Sequence, residues 1–352
     1  MAVFLTIAGL LILTYITVDV LVTILTVGGG GPLTSRLSSG VWHLALRFHG
    51  GNRSRHRLLA LTGSLISVAI VMLWFVATWV GWSLIFCAVD KAVVNAATEI
   101  PANNQDRIYF VGYTLSTLGM GNFKPLGFTW QMAAAIASAN GFFLVTLALA
   151  YVLSVVAAVA QKYSTAMYIS SLGGSAEEII ARAWNGKDFG QFDQHLIALS
   201  SIITSLGVKY LTFPVLHYFH SVESSRSMAL SLASLDEALT LLQYGVAKSS
   251  RPDPIALETA RRANAAFLKV LDSAYIEPAS ELPEFPALEP LKSNGIPVVS
   301  EREFAVAMQQ LIKRRRLLLA FVQNDGWTWH EIASGAKSAR SQELDDAILT
   351  EC

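Results

Sequence analysis

The sequence predicts an all-α membrane protein, on three observations. Only 15% of the 352 residues are charged while 53% are hydrophobic. Mean hydropathy is +0.46. Two long stretches, between Arg57 and Asp90 and between Lys124 and Lys162, carry no charged residue. A soluble domain of this length would spend about a quarter of its residues on charge. The overall balance of 26 Lys+Arg against 26 Asp+Glu offers no electrostatic footprint for nucleic acid. That balance conceals a split. Residues 1–162 hold nine basic residues and four acids, net +5, and residues 163–352 hold 17 and 22, net −5. Cys87 and Cys352 are far apart and form no CxxC, which argues against a disulfide framework or a thiolate metal site.

A helix needs about 20 apolar residues to cross a hydrocarbon core about 30 Å thick. Residues 1–27 meet that length, interrupted only by Asp19. A cleaved signal peptide is not expected there, because the segment has no basic start, an overlong apolar run and no small-residue cleavage pattern. Asp19 is costly at membrane depth and is a functional candidate, with water or a nearby interfacial arginine as the plainer account. The linker 28–57 carries Arg36, Arg47, Arg53, Arg55 and Arg57 and no acid. Leu33, Leu37, Val41, Leu44 and Phe48 recur at helical spacing, which with Trp42 suits a basic helix lying in the membrane interface. Two spans follow within 58–162, and the loop at 89–107 is mixed in charge. The basic bias therefore puts 28–57 and the region from about 162 onward in the cytoplasm, and 89–124 outside.

Between those spans lies residues 103–125, NNQDRIYFVGYTLSTLGMGNFKP. It is too short for two crossings and too apolar in its middle for a simple loop. A re-entrant segment fits: a short helix over about 104–116, then non-helical backbone at TLGMGN. Such backbone is tolerated at membrane depth only where protein shields it or it lines a watery path. Gly119 and Gly121 permit backbone angles that other residues resist. Alternating conformations would turn successive carbonyls to one side, making a column of oxygens able to replace an ion's hydration shell.

This order of helix, short helix, T-x-G-x-G and helix resembles the pore domain of the tetrameric potassium channel superfamily, over about residues 58–162. The family pattern TVGYG followed by an acid reads here Thr117-Leu118-Gly119-Met120-Gly121-Asn122. The resemblance implies ion coordination by the carbonyls of Thr117, Leu118, Gly119 and Met120 and by the Thr117 hydroxyl, with Gly121 at the outer mouth. Two positions depart. Met120 replaces the usual aromatic and lacks its hydroxyl and stiffness, and Asn122 replaces the acid. Lys124 adds positive charge near the mouth, which Asp90, Glu99 and Asp106 could offset. Gly141 stands where many members carry a glycine thought to hinge the inner helix; close packing is the alternative. Phe142, Val145 and Leu149 share a helical face that would line the cavity or else meet lipid or a neighbouring helix.

One motif supplies a quarter of a filter ring and no internal repeat is present, so a homotetramer is required. No helix has arginine at every third position, which excludes voltage sensing of the familiar kind. Residues 163–352 read as a cytoplasmic helical domain. Gly173-Gly174 ends the last span, and Ser175 caps a short helix through Glu178. Residues 191–220 read as two buried helices, with a fourth span as the alternative. Helical periodicity covers 224–245 and 253–274, a proline-rich linker 276–297, and a long helix opened by Ser300 and Glu303 runs to about Val322. Lys313–Arg316 forms a solvated face or meets lipid headgroups. His217 and His220 with His195 and Asp193 read as core histidines before a metal site. Asp188-Phe189-Gly190 lacks the context of a kinase motif. No nucleotide-binding signature and no catalytic constellation occurs, so no enzyme and no cofactor is expected.

The expected function is a potassium-selective channel in a cell membrane, multi-pass and bacterial, with K+ as the permeant ion, the bilayer and sister subunits as partners, and an unidentified gating ligand or protein on the cytoplasmic domain. A non-selective cation channel, or a channel-like protein with a regulatory domain, is the alternative.

Overall fold

The computed structural model describes residues 1–49, 56–274 and 276–333. Arg53 and Arg55 of the basic linker lie outside the described residues, as does the side chain of Phe48. The chain divides into two compact units: Met1–Val41 with Ser64–Val156, and Trp42–Gly63 with the chain from Ala157 onward.

The first unit is built from apolar helices. Helix α1 is Ala2–Leu25, α2 begins at Pro32 and ends at His49, α3 is His56–Cys87, α4 is Asn104–Leu115 and α5 is Phe128–Leu172. Helices α1 and α3 approach closely because both present glycine: a Cβ on Gly9 would lie 2.5 Å from the Gly81 carbonyl oxygen. Small residues permit such backbone contact where lipid removes any hydrophobic drive. Two strands of three residues, β1 (Val93–Asn95) and β2 (Phe123–Pro125), pair antiparallel, with Val94 opposite Lys124. This sliver of sheet is the one departure from the all-α expectation among the described residues. At 45 residues α5 is about 68 Å long, roughly twice the hydrocarbon core.

Asp19 has a structural explanation. Its carboxyl oxygens accept hydrogen bonds from the backbone N–H groups of Leu33 (2.7 Å) and Thr34 (3.3 Å), the Thr34 hydroxyl (2.6 Å) and Trp74 Nε1 (2.9 Å). It therefore caps α2 from a different helix, placing negative charge where unpaired N–H groups and the helix dipole favour it. The carboxylate comes so close to Gly31 that a side chain there would collide with it. On α2 the buried residues are Thr34, Ser38 and Trp42, while Arg36, Leu44 and Arg47 are exposed. The buried side thus carries two hydroxyls and the Trp42 indole, while Leu33, Leu37 and Val41 are only half-buried and Leu44 is exposed.

The second unit surrounds α8 (Met228–Thr240), every residue of which is buried. Its apolar residues face the core on all sides, and its polar ones, Ser231, Ser234, Asp236, Glu237 and Thr240, are buried with them. Around it lie α6 (Ala176–Ala183), α7 (Phe192–Thr212), α9 (Pro254–Ala274), α10 (Glu289–Ser293), α11 (Glu301–Gln310) and α12 (Ile312–Asn324). Ser175 accepts from the Glu178 N–H and opens α6. Three expectations change. Residues 191–220 form one helix rather than two, followed by a 3-10 turn at Pro214–Tyr218; Pro214 cannot continue the α-helical ladder. The long C-terminal helix is two, broken at Leu311.

The third correction concerns the middle of Lys313–Arg316: Lys313 is exposed as a solvated face requires, but Arg314 and Arg315 turn inward. Arg314 forms an ion pair with buried Asp236, and Arg315, 1% exposed, donates to Glu237 at 2.9 Å through both Nε and Nη2. Arg315 also donates to the carbonyls of Pro283 and Glu284, fixing the proline-rich segment. Burial works against ionising Asp236, but the Arg314 guanidinium outweighs it and holds the carboxyl below the usual range; at Glu237 burial prevails over Arg315 and raises it.

Candidate functional site

Helix α4 is positioned at both ends. At its start Asn103 accepts from the Asp106 N–H while Asp106 accepts from the Asn103 N–H, a reciprocal cap. Arg107 is buried and donates to the carbonyls of Ala102 (2.9 Å) and Asp90 (3.0 Å), and to Asp90 Oδ1 (3.1 Å). Trp79 of α3 donates to the Ile108 carbonyl at 2.9 Å, and Gly112 lets the same indole approach the α4 backbone. The end of α4 is closed by its own hydroxyls: Thr114 donates to the Phe110 carbonyl and Ser116 to that of Gly112.

Directly beyond that end, Thr117, Gly119 and Gly121 have φ values of 58°, 61° and 76°. Three alternate residues thus sit in the left-handed region, where glycine is at ease and threonine is not. The Thr117 and Leu118 N–H groups turn back to donate to the Thr114 and Tyr113 carbonyls, at 3.1 and 2.9 Å. Among the described residues, no donor reaches the carbonyls of Thr117, Leu118, Gly119, Met120 or Gly121. The whole stretch Ser116–Asn122 is exposed in the single chain. A helix C-terminus carries partial negative charge, so the end of α4 favours a cation beside these oxygens.

The flanks of this stretch are braced by aromatic residues of α4 and α3. Tyr113 donates its hydroxyl to the Phe123 carbonyl at 3.0 Å, tying the last turn of α4 to the residue after Asn122. Tyr109, Phe110 and Tyr113 pack edge to face at 5.2–5.4 Å, and Phe86 joins Phe110 at 5.4 Å. Stiffness that Met120 cannot supply therefore comes from α4 and α3. The signal was present in the i, i+4 spacing of Tyr109 and Tyr113. Lys124 is ion-paired with Glu99 at 2.8 Å, and the ammonium holds the Glu99 carboxyl below its usual range. Of the three acids expected to offset Lys124, Glu99 makes the contact; Asp90 is committed to Arg107 and Asp106 to the cap.

Helix α5 runs unbroken through Gly141, and a Cβ there would overlap the Leu115 carbonyl oxygen. Gly141 thus allows α5 to touch the end of α4. Asn140 beside it accepts from Trp82 Nε1 at 3.1 Å. Leu144, Ala148, Tyr151 and Val155 form the buried face of α5, whereas Phe142, Val145 and Leu149 are exposed, continued by Leu153 and Val156. The three residues expected to share a face do so.

The other motifs resolve into structure. Asp188 accepts from Asn185 Nδ2 and the Gly190 N–H within a loop anchored by buried Phe189. His195 bonds the Tyr168 hydroxyl, His217 packs against Tyr210, and His220 bonds His56. Among the described residues no group of three His, Cys, Asp or Glu side chains could hold a metal ion.

Among the described residues, four helices are long and apolar enough to cross a membrane: Ala2–Leu25, Leu59–Cys87, Phe128–Leu172 and Phe192–Thr212. No protein-family model matches the chain, and no solved structure matches it. It is 36% identical over 324 residues, covering 92% of its own length and 94% of the relative's, to the uncharacterized membrane protein YdjJ of Bacillus subtilis (strain 168).

Proposed function

The chain belongs to the family of that membrane protein, and we propose that it is one subunit of a homotetrameric potassium channel. The observation that carries this reading is the left-handed alternation at Thr117, Gly119 and Gly121, with five neighbouring carbonyls engaged by no donor among the described residues. Four such segments around an axis would stack rings of oxygens that exchange for a cation's water. The Thr117 hydroxyl would complete the innermost ring. Phe142, Val145 and Leu149 would line the cavity beneath, where an apolar throat can gate by losing its water.

The reading assigns three spans, α1, α3 and the first part of α5, with residues 163–352 in the cytoplasm of a bacterial cell. Helix α7 is apolar enough to be a fourth. Its inner face, however, packs into a shared core with α9, which carries Glu258, Arg261, Arg262, Lys269 and Asp272. A helix so charged is a poor companion inside a bilayer. We therefore assign α7 to the cytoplasmic unit.

Purified protein in planar bilayers, with K+ on one side and Na+ on the other, tests the function. A reversal potential far from zero is expected; one near zero would favour the non-selective cation pore that Met120 and Asn122 leave open. Absence of any current would sink the channel reading.

A further inference from the structure

The segment that leaves α7 is held by three other helices. Lys162 of α5 is buried and donates its ammonium to the carbonyls of Leu216 (3.1 Å) and Phe219 (2.6 Å). Tyr163 donates to the His220 carbonyl at 3.2 Å. Trp42 of α2 packs on Tyr218 with ring centroids 5.6 Å apart. On α3, a Cβ at Gly63 would lie 2.7 Å from the Phe219 ring, and the first residue of that helix, His56, makes the remaining contact. His56 Nδ1 and His220 Nε2 lie 2.7 Å apart, with the rings stacked at 4.9 Å. Trp327 stacks on His56 at 4.5 Å and tilts over His220 at 5.5 Å. Asp325 Oδ1 is 3.7 Å from His220 Nδ1, and Ser227 donates to Asp325 Oδ2. His56, His220, Asp325 and Trp327 are all buried.

Two imidazoles joined nitrogen to nitrogen need one donor and one acceptor. A neutral pair satisfies this, and so does a pair carrying one extra proton. A second extra proton places two N–H groups face to face at hydrogen-bond distance, and the bond must break. Among the described residues, Asp325 after α12 favours a proton on the pair, and Lys162 from α5 opposes it. Tyr163 and Tyr210 flank these from α5 and α7. Glu223 and Arg226 pair with each other at 3.2 Å. His217, on the same segment, is pushed down to about 3 by burial and by Lys162, so it stays neutral near pH 6. Histidine is the side chain whose ordinary titration falls between pH 5 and 8.

We propose that the His56–His220 pair is a proton sensor whose double protonation releases the start of α3 from the segment after α7, so that acidity on that side of the membrane changes the open probability of the pore. The sensor stands on the geometry alone; its output rests on the channel reading above.

Two measurements on the full-length protein separate these parts. The first is the tryptophan emission that differs between wild type and Trp327→Phe, followed from pH 8 to 5. Imidazolium quenches a stacked indole, so this difference should fall in a step between about pH 5 and 7. The step should shift in His56→Gln or His220→Gln, each of which leaves one imidazole beside the indole, and vanish in the double variant. Emission without a step in the wild type overturns the sensor and requires no histidine variant to fold. The second is single-channel recording with pH changed only on the side bearing residues 157–333. Open probability should change about tenfold between pH 7.5 and 5.5, as a differential pKa of one unit allows, and His220→Gln should abolish the change. Currents indifferent to that pH, or equally responsive in His220→Gln, overturn the coupling. An emission step in a protein that passes no current supports the sensor and sinks the channel reading instead.

Discussion

Between Thr117 and Gly121 the first unit leaves five consecutive carbonyls to no donor among the described residues, whereas the second buries Asp236 and Glu237 and matches each with its own arginine. Unpaired polar groups removed from water cost several kcal/mol, so on the channel reading proposed above, which holds this exposed stretch at membrane depth, something outside the single chain would have to complete it. Cations and three sister chains would do so. The second arrangement is complete within itself. Polar groups that await a partner mark where a protein acts, and polar groups already matched mark how it holds together.

The largest effect is expected where the contrast is sharpest. Gly119→Ala puts a side chain on a residue at φ 61°, a conformation that costs a Cβ-bearing residue about 1 kcal/mol or more, repeated four times around the axis. Current should be lost entirely while the tetramer still elutes intact; normal conductance would remove the carbonyl column from consideration. Next comes the buried pairing. Arg315→Met leaves Glu237 alone in the interior and should destabilise the chain by about 3–5 kcal/mol. The double variant Arg315→Met with Glu237→Met should recover most of that loss in chemical denaturation. Equal damage from the single and double changes would show that packing, not charge matching, matters there.

These expectations also mark what the sequence made legible. The start of α4 at Asn104 and the alternation at Thr117–Gly121 were readable because capping and positive φ are local demands, met by residues a few positions apart. The Asp236–Arg314 and Glu237–Arg315 pairs were not, because their partners are 78 residues apart and a basic run looks the same whether solvated or buried. The one clue was the pair of acids inside α8, whose other residues are apolar or small hydroxyls. The break at Leu311 left no mark either, since neither glycine nor proline stands there. Gly141 lay between these cases. Its position along α5 was plain, but the Leu115 carbonyl that forbids a Cβ was invisible until the helices were placed.

Gly141→Ala accordingly sharpens the comparison at smaller scale. It should lower stability by about 1–3 kcal/mol through overlap with Leu115. Gly40→Ala on α2, where a Cβ meets nothing within 4 Å, should be neutral or stabilising by up to about 1 kcal/mol. Thermal melts of the two variants side by side provide the check. The smallest effect is expected at the exposed pair. Glu99→Gln should leave stability almost unchanged, as expected for an exposed ion pair. It should, however, reduce conductance at low salt by leaving Lys124 unopposed, and the deficit should disappear near 1 M salt, where the screening length is about 3 Å.

The capping of α2 by Asp19 has a consequence for synthesis. A chain synthesised from its N-terminus presents α1 before α2 and α3, with an acid that would cost about 2.5–3.5 kcal/mol at a helix centre. The partners of that acid follow 14, 15 and 55 residues later, in Leu33, Thr34 and Trp74. At about 5–20 residues per second, the first two emerge within roughly three seconds, and the indole several seconds after them. The first hairpin therefore neutralises its own burden before α3 exists, and the arrival of Trp74 seals it.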